Sequence, residues 1–99
     1  MSKYLQEYPA HVVKRFLKFK SENPQVYGHF ERMAKQIKKT GREKYSARTI
    51  FEVLRWHLDI ETQGEPFKIS NDFIPMYVRF LIAQEPDFDG FFTVKRKRR

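Results

Sequence analysis

The sequence contains no cysteine, and this absence excludes disulfide bonds and any zinc site built on thiolates. Glycine is scarce, with four residues in 99, and no glycine-rich phosphate loop is present. No apolar run approaches the roughly 18 residues that span a bilayer, and residues 1–7 have no signal-peptide character. We therefore expect a cytoplasmic protein that does not enter membranes.

Aromatic residues are plentiful, and they supply the material for a hydrophobic core. They make up 16% of the chain and include ten Phe. The length of 99 residues corresponds to one domain. We expect a single domain over residues 1–94, followed by a basic tail at 95–99.

The positive charge is unevenly distributed along the chain. The formal net charge of +8 divides into +8 over residues 1–49, −5 over residues 50–94 and +5 over residues 95–99. Such a distribution bears on the choice of partners and not on the fold. A polyanion, above all nucleic acid, is the partner that it favours.

Apolar spacing of three and four residues predicts four helices. They lie at about 9–20, 24–39, 47–60 and 71–84. Asn23 is expected to cap the second helix and Ser46 the third, and Gly41 is expected to end the second in a left-handed conformation. The third helix is predicted to be central, with Val53, Trp56 and His57 widening its buried side.

Two short segments predict strands, at 67–69 and 91–94. The fold class that we expect is mainly α with a small two-stranded β element. The order of elements is close to that of a winged-helix α+β domain, although a helix lies between the two predicted strands.

A cluster of basic residues is the strongest functional signal. It spans 14 residues across the second helix, the link that follows it and the start of the third helix, and its members are Lys35, Lys38, Lys39, Arg42, Lys44 and Arg48. Such side chains neutralise phosphates and release counterions. Ser46 and Thr49 add hydroxyls at a helix N-terminus, where phosphate also binds.

The third helix is the candidate for entering a DNA groove. Arg48, Thr49, Glu52 and Arg55 project from it at helical spacing, and Arg pairs with guanine edges while Glu accepts from cytosine. The alternative is that Glu52 forms ordinary ion pairs with Arg48 or Arg55 on a solvated face. For Trp56, packing in the core is favoured over base stacking, whereas Tyr45 is expected to be exposed enough to stack on a base.

The tail consists of five basic residues. Its composition suits a phosphate-binding arm, a nuclear localisation signal or a simple solubilising end, and its members are Lys95, Arg96, Lys97, Arg98 and Arg99.

Catalytic and metal-binding patterns are not evident. The spacing of two between His57, Asp59 and Glu61 points helical side chains in different directions, so they do not predict a metal site. We expect neither a cofactor nor an enzymatic activity.

Four segments together resemble small uncharacterised proteins encoded by bacteriophages and prophages. These segments are 45–57 (YSARTIFEVLRWH), 67–71 (FKISN), 77–79 (YVR) and 90–92 (GFF). The resemblance implies a phage origin and a bacterial host cell, which disfavours the nuclear role of the tail, and it implies no particular activity.

Two functions follow as hypotheses. The first is a non-enzymatic nucleic-acid-binding protein, with DNA favoured over RNA. The second is an inhibitor or adaptor that binds a host protein, for example an anti-CRISPR-type anti-defence protein, through an acidic surface. That surface would comprise Asp59, Glu61, Glu65, Asp72, Glu85, Asp87 and Asp89.

Overall fold

A computed structural model describes the backbone of residues 8–61 and 69–93 and the side chains of residues 8–58 and 69–92. The helices are α1 (Ala10–Glu22), α2 (Pro24–Lys39), α3 (Ala47–Glu61) and α4 (Ile74–Gln84), and the strands are β1 (Tyr45–Ser46) and β2 (Phe92–Thr93). Two short 3-10 helices, Asn71–Phe73 and Pro86–Phe88, precede and follow α4. The predicted helices are confirmed to within a few residues at their ends.

The break between α1 and α2 is made by Asn23 and Pro24. Pro24 occupies the first turn of α2, where a missing N–H breaks no hydrogen bond. The predicted N-cap role of Asn23 is wrong, because its side chain makes no capping bond to α2. Instead, Nδ2 of Asn23 donates to the carbonyl of Phe19 at 3.1 Å, and its backbone N–H donates to the same oxygen at 2.9 Å. Asn23 therefore closes α1.

The link between α2 and α3 is held by side chains at both ends. The hydroxyl of Thr40 donates to the carbonyl of Ile37 at 2.6 Å, and Gly41 has a φ of +92°, the left-handed conformation that glycine adopts without strain. The hydroxyl of Ser46 accepts from the backbone N–H of Thr49 at 3.3 Å and so caps α3. Both predicted caps are confirmed.

The two strands pair in parallel, with Tyr45 opposite Phe92 and Ser46 opposite Thr93. The second predicted strand, 91–94, thus contains β2. The first is wrong at Ile69, which lies outside any strand, and residues 67–68 lie outside the described part. A wing is a hairpin of antiparallel strands, whereas β1 and β2 are parallel and are separated by α3 and α4, so this pair does not form one.

One hydrophobic core receives side chains from all four helices and from the segment around β2. Its centre is aromatic: the ring of Tyr77 on α4 lies 4.9 Å from that of Phe16 on α1 and 5.5 Å from that of Phe51 on α3. The ring of Phe30 on α2 lies 4.8 Å from that of Phe51 and 5.6 Å from that of Phe92. Edge-on and stacked rings at these distances attract beyond their burial alone. The core therefore fixes α3 against α2 and β2, which positions the basic segment between them.

Within the described residues, no helix is both long and apolar enough to cross a bilayer.

Candidate nucleic-acid interface

The predicted basic cluster lies where the end of α2, the link and the first turn of α3 meet. The structure divides its members into two groups. Lys39, Arg42, Lys44 and Arg48 have exposed side chains. Lys35 and Lys38 are each held by contacts within the protein, and so is Arg55, which was predicted separately on α3.

Lys35 on α2 is bound by two carboxylates. Its Nζ lies 3.1 Å from Oε2 of Glu31 and 3.2 Å from Oε2 of Glu85, so it ties α2 to the end of α4. The hydrogen bonds to Glu31 and then to Glu85 raise the pKa of Lys35 above its ordinary value of 10.5. A phosphate would compete with two acids for this ammonium group.

Lys38 has a structural partner as well. Its Nζ donates to the backbone carbonyl of Asp87 at 3.2 Å. The same ammonium group lies 5.4 Å from the ring centroid of Phe88 and 5.7 Å from that of Phe91. These contacts attach the Pro86–Phe88 turn to α2, and they draw Lys38 away from solvent.

Lys39 and Lys44 form no ion pair with any acid in the described part of the chain, and both are exposed. Arg42 lies between them, with its guanidinium 5.4 Å from the ring centroid of Tyr45. Tyr45 itself is half-buried in β1, so the predicted exposure of its ring is only partial. With Glu43 also exposed, the link holds two cations and one acid on the outside of the molecule, and Lys39 adds a third cation at the end of α2.

The first turn of α3 contributes Arg48 and Thr49, both exposed. The Nε of Arg48 lies 3.9 Å from Oε2 of Glu52, a long i,i+4 contact between side chains that are 68% and 63% exposed. This is the ion pair that the sequence left as an alternative. A pair so exposed contributes little free energy and does not prevent Arg48 from meeting a phosphate. The hydroxyl of Ser46 accepts one hydrogen bond at the helix cap, and within the described residues its proton is not donated to another group.

Arg55 is turned away from the outer face of α3. Its Nη2 donates to the backbone carbonyl of Ile69 and to Oδ1 of Asn71, both at 2.7 Å. The guanidinium therefore holds the chain just before α4 against α3. This engagement leaves Arg55 out of the groups on α3 that would meet a base edge.

The outer face of α3 carries the residue that sequence reasoning placed in the core. Trp56 is 61% exposed and Val53 is 40% exposed, and His57 is exposed beside them. The prediction that these three widen the buried stripe is wrong, because Ile50, Leu54 and Leu58 already fill the contact with the core. On this face the exposed residues come in pairs, at 48–49, 52–53 and 56–57, and each pair is followed by a buried residue. This four-residue period is the sequence signal of the exposed face.

The acidic half is partly described. Asp72, Asp87 and Asp89 are exposed and make no ion pair within the described residues, whereas Glu85 is bound to Lys35. Three of the predicted acids, Asp59, Glu61 and Glu65, and the basic tail Lys95, Arg96, Lys97, Arg98 and Arg99 lie outside the described side chains.

Among the described residues, no group of three His, Asp or Glu side chains is placed to hold a metal ion. No protein-family model, curated protein or solved structure matches the chain.

Proposed function

We propose that this protein is a non-enzymatic nucleic-acid-binding protein, with DNA favoured over RNA. The binding surface, called the basic surface below, comprises Lys39, Arg42, Lys44 and Arg48. The basic tail at 95–99 adds a second site of attachment to phosphates.

The observation that carries the proposal is the exposure of these four cations over ten consecutive positions around the N-terminus of α3. The one ion pair that involves them within the described side chains is the long contact between Arg48 and Glu52. The positive end of the α3 dipole and its capping Ser46 lie in the same place, and both favour an anion. Exposed cations that meet phosphates release the counterions condensed on the nucleic acid.

Titration of a fluorescently labelled DNA oligonucleotide, followed by anisotropy at several salt concentrations, tests the proposal. We expect binding that weakens steeply as salt rises. The variant Lys39→Glu/Lys44→Glu should lower the affinity by at least about tenfold. Because two phosphate contacts are lost, it should release about 1.4 fewer counterions on a single strand or about 1.8 fewer on a duplex, which makes the salt dependence shallower.

The variant Lys14→Glu/Lys18→Glu is the matched control. It reverses the same number of charges at exposed positions of α1, which is not part of the basic surface, and the ion pair of Lys18 with Glu22 that it breaks is exposed and contributes little free energy. Equal losses in the two variants would mean that net charge alone attracts DNA, and absence of binding at low salt would overturn the proposal.

Groove recognition by α3, as in winged-helix proteins, is the form that the proposal would take if the bound DNA were a duplex. It would rest on Arg48, Thr49 and Glu52, since Arg55 is engaged with Ile69 and Asn71. A phage origin belongs to the proposal as well, on the strength of the four segments that resemble phage proteins.

A protein-binding inhibitor or adaptor, such as an anti-defence protein, is the second candidate. The exposed carboxylates of Asp72, Asp87 and Asp89, which make no ion pair within the described residues, favour it. A pull-down from nuclease-treated host lysate separates the two functions. A stoichiometric partner that is lost in Asp87→Asn/Asp89→Asn, and that needs no nucleic acid, would support the second candidate.

A further inference from the structure

We infer that Trp56 is a base-stacking platform and that the form of nucleic acid bound is a single strand. This inference rests on the proposed function and deepens it. It concerns the outer face of α3, which is defined here as Arg48, Thr49, Glu52, Val53 and Trp56.

Trp56 is presented to solvent without being needed by the fold. Its side chain is 61% exposed, and the core side of α3 is filled by other residues. The ring centroid of His57 lies 5.3 Å from that of Trp56 at an interplanar angle of 66°, an edge-to-face arrangement. Most of the surface of Trp56 remains accessible to a ligand.

The position of Trp56 on α3 connects it to the basic surface. Trp56 and Thr49 are seven residues apart, so they lie within about 20° of one another around the helix axis. Trp56 is about 12 Å along the axis from Arg48, because each residue of a helix rises 1.5 Å. A strand whose phosphates are held at the first turn of α3 and that runs along this helix therefore passes over the indole about two turns later.

The charge of the outer face fits a base better than a phosphate at Trp56. Glu52 is exposed on the same face and would repel a phosphate placed there. Val53, 40% exposed, extends the apolar surface beside the indole. A polyanion can keep its phosphates on the basic surface and turn an unpaired base toward Trp56. Its charge then meets the cations at the start of α3, and its base meets the indole.

An unpaired base is available for such stacking, whereas the bases of a duplex are already stacked on each other. Stacking on an aromatic side chain is tolerant of sequence and strengthens single-strand binding. We therefore expect a 15-nucleotide oligothymidylate to bind more tightly than a 15-base-pair duplex at the same salt concentration.

The chain has one tryptophan and five tyrosines, so fluorescence excited selectively at the indole reports on Trp56 alone. Titration with the oligothymidylate should quench this fluorescence, with a midpoint that matches the anisotropy of the labelled oligonucleotide. Trp56→Ala should weaken binding by at least about fivefold, and Trp56→Phe should retain most of the affinity. The salt dependence should be unchanged in both variants, because stacking releases no counterions.

Leu17→Ala is the matched control, since Leu17 is an exposed apolar side chain on α1, 44% exposed. It should leave the affinity unchanged. If anisotropy reports binding while the fluorescence of Trp56 stays constant, or if Trp56→Ala binds as tightly as the parent, stacking is refuted and the proposed function stands.

Two other results would overturn the inference in different ways. Absence of any oligonucleotide binding would remove the proposed function together with it. If the fluorescence of Trp56 changes with protein concentration in the absence of oligonucleotide, and sedimentation shows a dimer over the same range, the outer face would instead be assigned to association between two copies of the chain.

Discussion

Tyr77 is fully buried at the centre of the aromatic core, and its hydroxyl has no hydrogen-bond partner among the described residues. Leaving a buried hydroxyl unpaired costs about 1–3 kcal/mol. The ring, in contrast, contacts aromatic side chains from α1, α2 and α3. Tyr77 thus stabilises the fold through its ring and not through its hydroxyl.

The variant Tyr77→Phe should therefore unfold at the same urea concentration as the parent or at a higher one, with a gain of up to about 1 kcal/mol. Tyr77→Ala should lose about 3–5 kcal/mol, because it opens a cavity. A loss above about 1 kcal/mol in the Phe variant would mean that the hydroxyl has a partner in solution.

The same residue predicts a pH dependence. Burial raises the pKa of Tyr77 above its ordinary value of 10.0. Above the ordinary pKa, the unfolded chain loses the phenolic proton of Tyr77 while the folded chain retains it. The contribution of Tyr77 to the free energy of unfolding therefore decreases as the pH rises. Urea unfolding between pH 9 and 11 should show a shallower decrease in Tyr77→Phe, and identical slopes in the two proteins would contradict the assignment.

At the scale of elements, Arg55 and Lys38 attach the C-terminal part of the chain to α2 and α3. Arg55 binds the carbonyl of Ile69 and the side chain of Asn71 before α4, and Lys38 binds the carbonyl of Asp87 after it. Both were predicted as nucleic-acid contacts. Their side chains are instead used to orient the segments at the two ends of α4.

Arg55→Ala should accordingly lower the free energy of unfolding by about 1–3 kcal/mol, because two charge-assisted hydrogen bonds are lost. Arg48→Ala, on the same helix, should change it by less than about 0.5 kcal/mol, since its ion pair is exposed. Affinity for the oligonucleotide should change in the reverse order, with Arg48→Ala weakening binding more than Arg55→Ala. Equal stability of the two variants in urea would mean that Arg55 has no structural role.

Glu52 offers a complementary prediction on α3. Its carboxylate pairs weakly with Arg48 and faces the same solvent as Trp56. Glu52→Gln removes a negative charge from the outer face and releases Arg48, so affinity should rise by about two- to fivefold. Anisotropy at low salt measures this change, and an unchanged or lower affinity would show that the carboxylate does not face the bound strand.

At the scale of the whole molecule, the net charge of +8 overstates the charge that is free to bind a partner. Several cations lie over aromatic rings or beside carboxylates within the described part. They include Arg15 over Phe73, Lys20 over Phe80, Lys38 over Phe88 and Lys35 beside Glu31 and Glu85. Arg42 over Tyr45 and Arg48 beside Glu52 have such contacts as well. On the basic surface, most of the expected attraction to phosphates therefore comes from Lys39 and Lys44, and the tail adds to it.

Removal of residues 95–99 should separate the contribution of the tail from that of the basic surface. Loss of five cations should make the salt dependence of single-strand binding shallower by up to about 3.5 counterions, since each phosphate contact contributes about 0.7. The quenching of Trp56 at saturation should be retained, because the outer face of α3 is unchanged. An unchanged salt dependence would assign the tail a solubilising role.

The sequence by itself determined the four helices, the caps at Gly41 and Ser46 and most of the core. These features depend on local spacing and local backbone conformation, and the chain carries both within a few residues. Residues such as Val26, Phe30 and Ala34 are buried as their spacing predicts.

Only the tertiary structure decided which polar and aromatic side chains are free. The partners of Lys38 and Arg55 are distant in sequence, at Asp87 and at Ile69 and Asn71, so helical spacing alone could not reveal them. Trp56 is exposed because the other side of α3 fills the available core. Hydrophobicity predicts that such a ring prefers burial, but the packing of neighbouring helices determines whether room remains for it.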